Sequence, residues 1–319
     1  MLARVKLARE PVMAAVLHHH DLGAGFWRLA DPKITLASMA SILLGAAAAA
    51  HVGAADWGWL AVVVVGIFAL EWAKNASGEI YDFASGTDQA ISEADRSPFS
   101  GGKRVLVDGL LTVRETWAIA LAGYAICITA GLAIALLRAP AVLWLGLVGV
   151  ALAFFYHAPP LKLSYRGWGE AAVFVAYGPL ICAGTFLVLA RELAPWVIWL
   201  ALPLGLLVAA FLWINEFPDY RADALAGKRT LVVRLGRRRA ADAFLWLVVA
   251  AFVLLLVAQA FGVPRGALGA LIAVLPAAGA VRALRAHPED TPKIIPAQAS
   301  TLLAFVLYAL GAAVGLVLT

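Results

Sequence analysis

Asn75, Glu79 and Asp82 stand at i, i+4 and i+7, and Asn215, Asp219 and Asp223 at i, i+4 and i+8. On a helix each set falls on or near one face, so each aims two carboxylates and an amide at a single region. Ionised carboxylates crowded in this way repel one another unless cations lie among them. Hard oxygen ligands favour Mg²⁺, which keeps several waters and binds through one or two carboxylates plus substrate phosphate oxygens. The pattern is the outline of a Mg²⁺-diphosphate site. Either set alone also fits a solvated helix cap. Two sets of like design weaken that reading: both contain Glu-x-x-Asp-aromatic, in Glu79 to Phe83 and in Glu216 to Tyr220. Bases follow both, namely Arg96, Lys103 and Arg104 after the first and Lys228, Arg229 and Arg234 after the second. Each base taken singly also reads as a topology anchor.

Two further stretches bear on the same region. The segment after the first set carries Gly86, Pro98, Gly101 and Gly102 with Asp88 and Asp95 among them, a polar loop suited to capping a cavity. The segment Tyr156 to Gly167 holds paired prolines, Pro159 and Pro160, and offers Lys162 or Arg166 to that cavity. His157 in it reads more readily as an interfacial histidine than as a proton carrier.

These residues need elements to hold them, and composition says which. Of 319 residues, 63% are hydrophobic and 14% charged, too few polar groups to coat a soluble particle. Apolar runs near 34–52, 57–75, 117–137, 140–156, 170–190, 196–214, 243–263, 266–281 and 295–318 predict nine transmembrane helices. The eighth is the weakest, being short and holding Pro276. The fold class is thus an all-α integral membrane bundle, with residues 1–33 a cytoplasmic or interfacial segment and 34–319 one membrane domain. With the N-terminus cytoplasmic and the C-terminus outside, 22 of the 25 Lys and Arg residues fall on the cytoplasmic side, and only Arg138, Arg191 and Arg265 opposite. Both acidic sets then lie at cytoplasmic helix ends. The basic pI near 9.4 reports this topology and gives no ground for a nucleic-acid partner. The N-terminal stretch lacks the order of a signal peptide. Its His18, His19 and His20 are too close in sequence to converge well on one ion and read as an interfacial loop. Cys127 and Cys182 lie in apolar runs and read as packing residues.

On these motifs the chain resembles the UbiA superfamily of intramembrane prenyltransferases. The resemblance rests on Asn75-x3-Glu79-x2-Asp82-x5-Asp88, the Tyr156 to Gly167 loop, and Asn215 through Asp223, and it covers nearly the whole chain. The run from Asn215 through Gly227, Lys228, Arg229, Thr230 and Leu231 to Gly236 is similar to members that prenylate 1,4-dihydroxy-2-naphthoate for menaquinone. Two positions depart from the pattern: Glu79 stands where Asp is usual, and Pro218 where some relatives carry a polar or basic residue.

The resemblance implies a cavity open to the cytoplasmic side, a lateral route for a lipid substrate, and a polyprenyl diphosphate and an aromatic acceptor as partners within membrane lipid. It implies Mg²⁺ held by Asn75, Glu79, Asp82, Asn215, Asp219 and Asp223, and diphosphate held by Asn75, Arg96, Lys162, Arg166, Asn215 and Lys228. Asp82, Asp219 and Lys162 are the expected catalytic residues. Tyr81, Phe83, Tyr156 and Tyr220 would shield a carbocation or, equally, anchor the interface. A membrane terpene cyclase and a glycerol-phosphate prenyltransferase of the same superfamily are the nearer alternatives. An ion-coupled transporter fits less well, since transporters place such carboxylates near the midplane on broken helices.

Overall fold

The computed structural model describes residues 20–319, so His18, His19 and the bases before them lie outside the described residues. An amphipathic helix α1 (Leu22–Ala30), capped by the Asp21 side chain, leads into α2 (Pro32–His51). The chain continues through α3 (Trp57–Ser85), α4 (Val113–Leu137), α5 (Val142–Phe155), α6 (Gly169–Ala190) and α7 (Pro195–Leu225). A short α8 (Leu231–Leu235) precedes α9 (Arg237–Ala258), α10 (Arg265–Ala286) and α11 (Thr291–Leu318).

Among the described residues there is no strand, and eight helices are long and apolar enough to cross a membrane. The remaining expected span, 140–156, is the 14-residue α5, about 21 Å long at the helical rise and shorter than the hydrocarbon core. Pro276 does not break the eighth expected span. The first nine residues of α10 form a 3₁₀ turn, and Pro276 then sits in the first turn of the α-helical part from Val274, where its missing N–H has no carbonyl to serve.

Two helices outrun their apolar stretch, and this positions the chemistry. α3 has 29 residues and α7 has 31, so each is on the order of 45 Å long against roughly 30 Å of hydrocarbon. Each extension carries an acidic set. The Asp56 side chain caps the start of α3, and Gly86 closes its end at φ 81°, a left-handed position that returns N–H groups to the carbonyls of Asp82 and Phe83. Helical spacing therefore holds through Asp82, and through Asp223 in α7 despite Pro218.

Small residues let the backbones approach closely, as expected where lipid supplies no hydrophobic drive between helices. A Cβ on Gly123 of α4 would meet the Ala69 carbonyl of α3 at 2.6 Å. Gly178 of α6 lies against Gly205 of α7, and Gly269 and Gly266 of α10 lie against Gly311 and Gly315 of α11. Around Ala176–Leu180, α6 opens into a π turn at Gly178-Pro179, and the freed Tyr177 carbonyl accepts from the Ser41 hydroxyl of α2. The buried core is centred on α7, against α2, α6, α9, α10 and α11.

Candidate active site

At one end of the bundle a cavity of about 530 Å³ opens between the ends of α3 and α7 and the loops beside them. Asn75, Glu79 and Asp82 line it from α3, Asn215, Asp219 and Asp223 from α7, and Arg96 and Lys228 from the loops. Eight expected site residues thus share one chamber. Lys162 and Arg166 stand outside its lining: the Lys162 ammonium lies 5.3 Å from the centre of the Tyr165 ring, and Arg166 is exposed.

Lys228 ties the two acidic sets together. Its Nζ lies 3.8 Å from Asp82 Oδ2 and 3.6 Å from Asp223 Oδ1. Burial opposes the charge, but Asp223 and Asp82 outweigh it and hold Lys228 protonated well above the usual lysine range. Tyr165 fixes the other oxygen of Asp82, donating to Oδ1 at 2.6 Å, and its hydroxyl also lies 2.8 Å from Ser85 Oγ. Burial and the adjacent Asp82 push the Tyr165 phenol up to about 12, so it stays a donor at neutral pH.

The loops that carry these groups are bolted to one another. The Arg229 N–H donates to the Tyr165 carbonyl at 2.9 Å, Arg234 Nη2 to the Arg166 carbonyl at 2.6 Å, and the Leu231 N–H to Glu170 Oε1 at 2.8 Å. The Tyr156 to Gly167 segment and the start of α6 are therefore held against the segment after α7.

The expected ligands differ in how free their oxygens are. Glu79 Oε1 accepts the Leu106 N–H at 3.0 Å, which pins the loop after the first motif. Asn75 Nδ2 donates to the Leu29 carbonyl at 2.9 Å, which leaves its Oδ1 uncommitted, whereas Asn215 Oδ1 accepts from Gln298 at 3.0 Å. Asp219 Oδ1 and Asp88 Oδ2 are buried with no hydrogen-bond partner.

Sequence reasoning left Asp88 unassigned, yet it lines the cavity at 2% exposure beside the first motif. Burial, Asp82 and Glu79 push its carboxyl up to about 8. The signal was in the motif itself, six residues past Asp82. His157, read as interfacial, lines the cavity 3.7 Å from Asp82 Oδ2, and its ring packs onto Gly78, where a Cβ would come within 2.6 Å. Burial drives its pKa to about 4, against the pull of Asp82, so the ring is neutral at pH 7. Nothing in the local sequence marked it, because its burial depends on a glycine in another helix. Lys74 and Lys103 also line the cavity, and Lys103 pairs with Asp31 at the α1–α2 junction. Burial, chiefly, lowers the Lys103 ammonium, while Asp31 is held below the usual carboxylate range because Lys103 outweighs its own burial.

Among the described residues no three carboxylate, imidazole or thiol side chains form a preassembled metal cage. The donors present nevertheless suit Mg²⁺. They are hard oxygens on α3, on α7 and on the loop after α3, with Asp219 Oδ1 and Asp88 Oδ2 buried and unpartnered, beside a chamber with room for phosphate oxygens that complete the coordination.

Long apolar helices around a polar chamber, with a carboxylate set from each of two of them, define a polytopic membrane protein with its polar groups gathered at one end of the bundle. The chain belongs to the UbiA prenyltransferase family, whose model matches residues 38–302. It is 33% identical over 288 residues to the 1,4-dihydroxy-2-naphthoate octaprenyltransferase of Mycobacterium tuberculosis, covering 89% of this chain and 94% of that one. Two solved structures share the fold. A UbiA homolog from Aeropyrum pernix has a TM-score of 0.63 at 20% identity, covering 87% of this chain and 96% of its own. A UbiA homolog from Archaeoglobus fulgidus bound to DMAPP and Mg²⁺ has a TM-score of 0.61 at 15% identity, covering 91% and 99%. The resemblance read from the motifs is thereby borne out.

Proposed function

We propose that this enzyme transfers the prenyl group of a polyprenyl diphosphate to 1,4-dihydroxy-2-naphthoate, with Mg²⁺ at the two acidic motifs. The observation that carries this reading is the meeting of Asp82 and Asp223 on Lys228 inside one chamber. The name of the mycobacterial relative, which aligns along nearly its full length, supports the naphthoate acceptor.

Asp82, Asp219 and Asp223, with Asp88 and the free oxygens of Asn75 and Glu79, would hold the metal. Bound there, it supplies positive charge to the departing diphosphate. The chain's own groups do the rest. Lys228 offers its ammonium to a phosphate oxygen, taking the place expected of Lys162, and Arg96 meets the diphosphate at the mouth. Tyr165 holds Asp82 in register. The allylic C–O bond breaks with its electron pair leaving on the diphosphate, a ring carbon of the acceptor forms the new C–C bond, and that carbon restores the aromatic ring by releasing a proton to solvent or, where it carries the carboxylate, carbon dioxide, the bonding pair staying in the ring. Tyr156 presents a ring face to the developing cation. Neutral His157 adds no competing charge beside Asp82.

The same reading places residues 34–319 in the cytoplasmic membrane as one domain, with α5 and its flanking residues completing a ninth crossing. The chamber then faces the cytoplasm, as the distribution of Lys and Arg supports. In α1, Trp27 is 67% exposed, which suits an interfacial segment before the first span.

The test is incubation of purified protein with Mg²⁺, a polyprenyl diphosphate and a panel of aromatic, glycerol-phosphate and blank acceptors, with products identified by mass. Prenylated naphthoate is the expected product. A cyclic hydrocarbon formed from the diphosphate alone, whatever acceptor is offered, would overturn the reading.

A further inference from the structure

Lys74 and Tyr156 line the main cavity and also a second chamber of about 80 Å³ between α2, α3, α5 and α6. Its wall is aliphatic, with Ile67, Leu70, Leu152, Val173 and Leu180. Glu71 stands in that wall at 5% exposure. Its Oε1 accepts from the Ser38 hydroxyl at 2.5 Å and the Tyr177 hydroxyl at 3.3 Å. Its Oε2 is buried and has no partner. A buried carboxylate oxygen without a donor is costly, and the chemistry described above leaves it unused.

Glu71 also continues the catalytic face of α3. Glu71, Asn75, Glu79 and Asp82 fall at i, i+4, i+8 and i+11, so Glu71 stands about 12 Å deeper along the axis than Glu79 at the helical rise. The two glutamates lie on either side of the neck formed by Lys74 and Tyr156, where the Lys74 ammonium is 5.1 Å from the centre of the Tyr156 ring. A substrate whose diphosphate sits at Glu79 and Asp82 brings its allylic carbon to this neck.

We propose that Glu71 orients the aromatic acceptor: the ring takes the place of the Lys74 ammonium against the Tyr156 face, and a ring hydroxyl donates a hydrogen bond to Glu71 Oε2. Ser38 and Tyr177 hold the carboxylate for this by occupying its other oxygen. Lys74 meets the carboxylate of the acceptor. A hydroxynaphthoate carries both groups that the neck reads, and the ring edge between them is turned to the allylic carbon. The inference rests on the transferase reading and adds to it the residue that selects a hydroxylated ring.

Glu71→Gln keeps an oxygen for Ser38 and Tyr177 and replaces the unpartnered acceptor oxygen by a donor amide. The KM for 1,4-dihydroxy-2-naphthoate is expected to rise about tenfold or more, because a site built to accept a hydroxyl loses that contact, while the KM for the prenyl diphosphate stays within about twofold. With the two monohydroxy analogues, 1-hydroxy-2-naphthoate and 4-hydroxy-2-naphthoate, the penalty of the variant should vanish for the one that lacks the hydroxyl read by Glu71 and persist for the other. A purely structural Glu71 that ties α2 to α6 would instead impose the same penalty on every acceptor and on the diphosphate, and that result would overturn the proposal. Should the variant not fold, judged by its melting in detergent, inhibition constants of the two analogues on the wild-type enzyme decide: a difference of about tenfold supports the proposal and equal inhibition refutes it. Absence of prenylated naphthoate with the wild-type enzyme would mark failure of the transferase reading itself, before any variant is compared.

Discussion

Replacing Lys228 by Gln removes a cation held between carboxylates of both motifs, 3.8 Å from Asp82 and 3.6 Å from Asp223. At those separations and an effective dielectric constant of about 20, each attraction is worth about 4 kcal/mol. Much of that is offset by the desolvation of an ammonium whose side chain is only 15% exposed. Stranding the carboxylates is the larger effect, and loss of one partner of a buried ion pair costs about 3–5 kcal/mol. Metal-free Lys228→Gln should therefore melt well below the wild type in detergent. Mg²⁺ should then raise its melting temperature by more than it raises that of the wild type, since the cation enters a site that has lost its own positive charge. A ligand at a hundredfold excess over its Kd adds about 2.7 kcal/mol, enough to recover a large part of the loss. Turnover should stay about 10²- to 10³-fold down even at saturating Mg²⁺, the range for loss of a principal contact to developing charge. Equal Mg²⁺ stabilisation of both proteins, or turnover of the variant above half the wild-type rate, would refute the assignment of Lys228 as the bridge and leaving-group contact.

Alanine at Asp82, Asp219 or Asp223 should each lower turnover about a hundredfold or more in steady-state assays, and near-wild-type rates for any two would contradict the shared-site geometry. His157 has its pKa lowered from 6.5 to about 4, so between those values the folded protein binds fewer protons than the unfolded chain and its stability rises with pH. The contribution is whole above pH 6.5 and is lost as the pH falls through about 4, so His157→Asn should flatten the acid limb of a melting-temperature profile, and an unchanged limb would count against a buried neutral imidazole. In a background lacking Cys127 and Cys182, Ser97→Cys and Thr319→Cys should label from opposite faces of the membrane, and labelling from one face would mean an even number of crossings.

The fold class was legible because its signal is additive: long apolar stretches survive errors in any one residue, and the helices start within a few residues of most expected spans. The ends were less legible. Apolarity stops near residue 75 in α3 and near 214 in α7, but backbone hydrogen bonding continues to Ser85 and Leu225, because helix propensity and the left-handed Gly86 cap do not depend on lipid. The motifs were legible for the related reason that helical spacing is local. Contacts between elements were not. Lys162 and Lys228 read alike as basic loop residues, and their separation depends on how the Tyr156 to Gly167 segment docks on the one after α7. His157 owes its burial to Gly78, and Glu71 is held by Ser38 and Tyr177 from two other helices, contacts that no local spacing shows.

The placement of the acidic sets explains why these helices outrun the hydrocarbon. A diphosphate and its counter-ions need water to arrive, whereas a prenyl cation needs water kept away until the new bond has formed. Carrying the carboxylates on the protruding turns of α3 and α7 puts the charged end of the reaction at the interface, and the same helix faces lead inward to apolar walls. Glu71, Asn75, Glu79 and Asp82 mark that gradient along one helix, from a carboxylate among aliphatic side chains to one paired with an ammonium at the chamber's polar end. The strength of each electrostatic contact depends on this position, since effective dielectric falls with depth. A substitution that shortens the α3 extension, such as Pro at Ile80, should therefore impair more than metal binding. Proline there removes the N–H that bonds the Ala76 carbonyl and breaks the helix between Asn75 and Asp82. The break should abolish prenyl transfer and expose any residual ionisation to water, so that the diphosphate is hydrolysed to prenyl alcohol. Prenyl transfer at the wild-type rate in Ile80→Pro would show that the two carboxylates do not need a continuous helix, and that the depth argument fails.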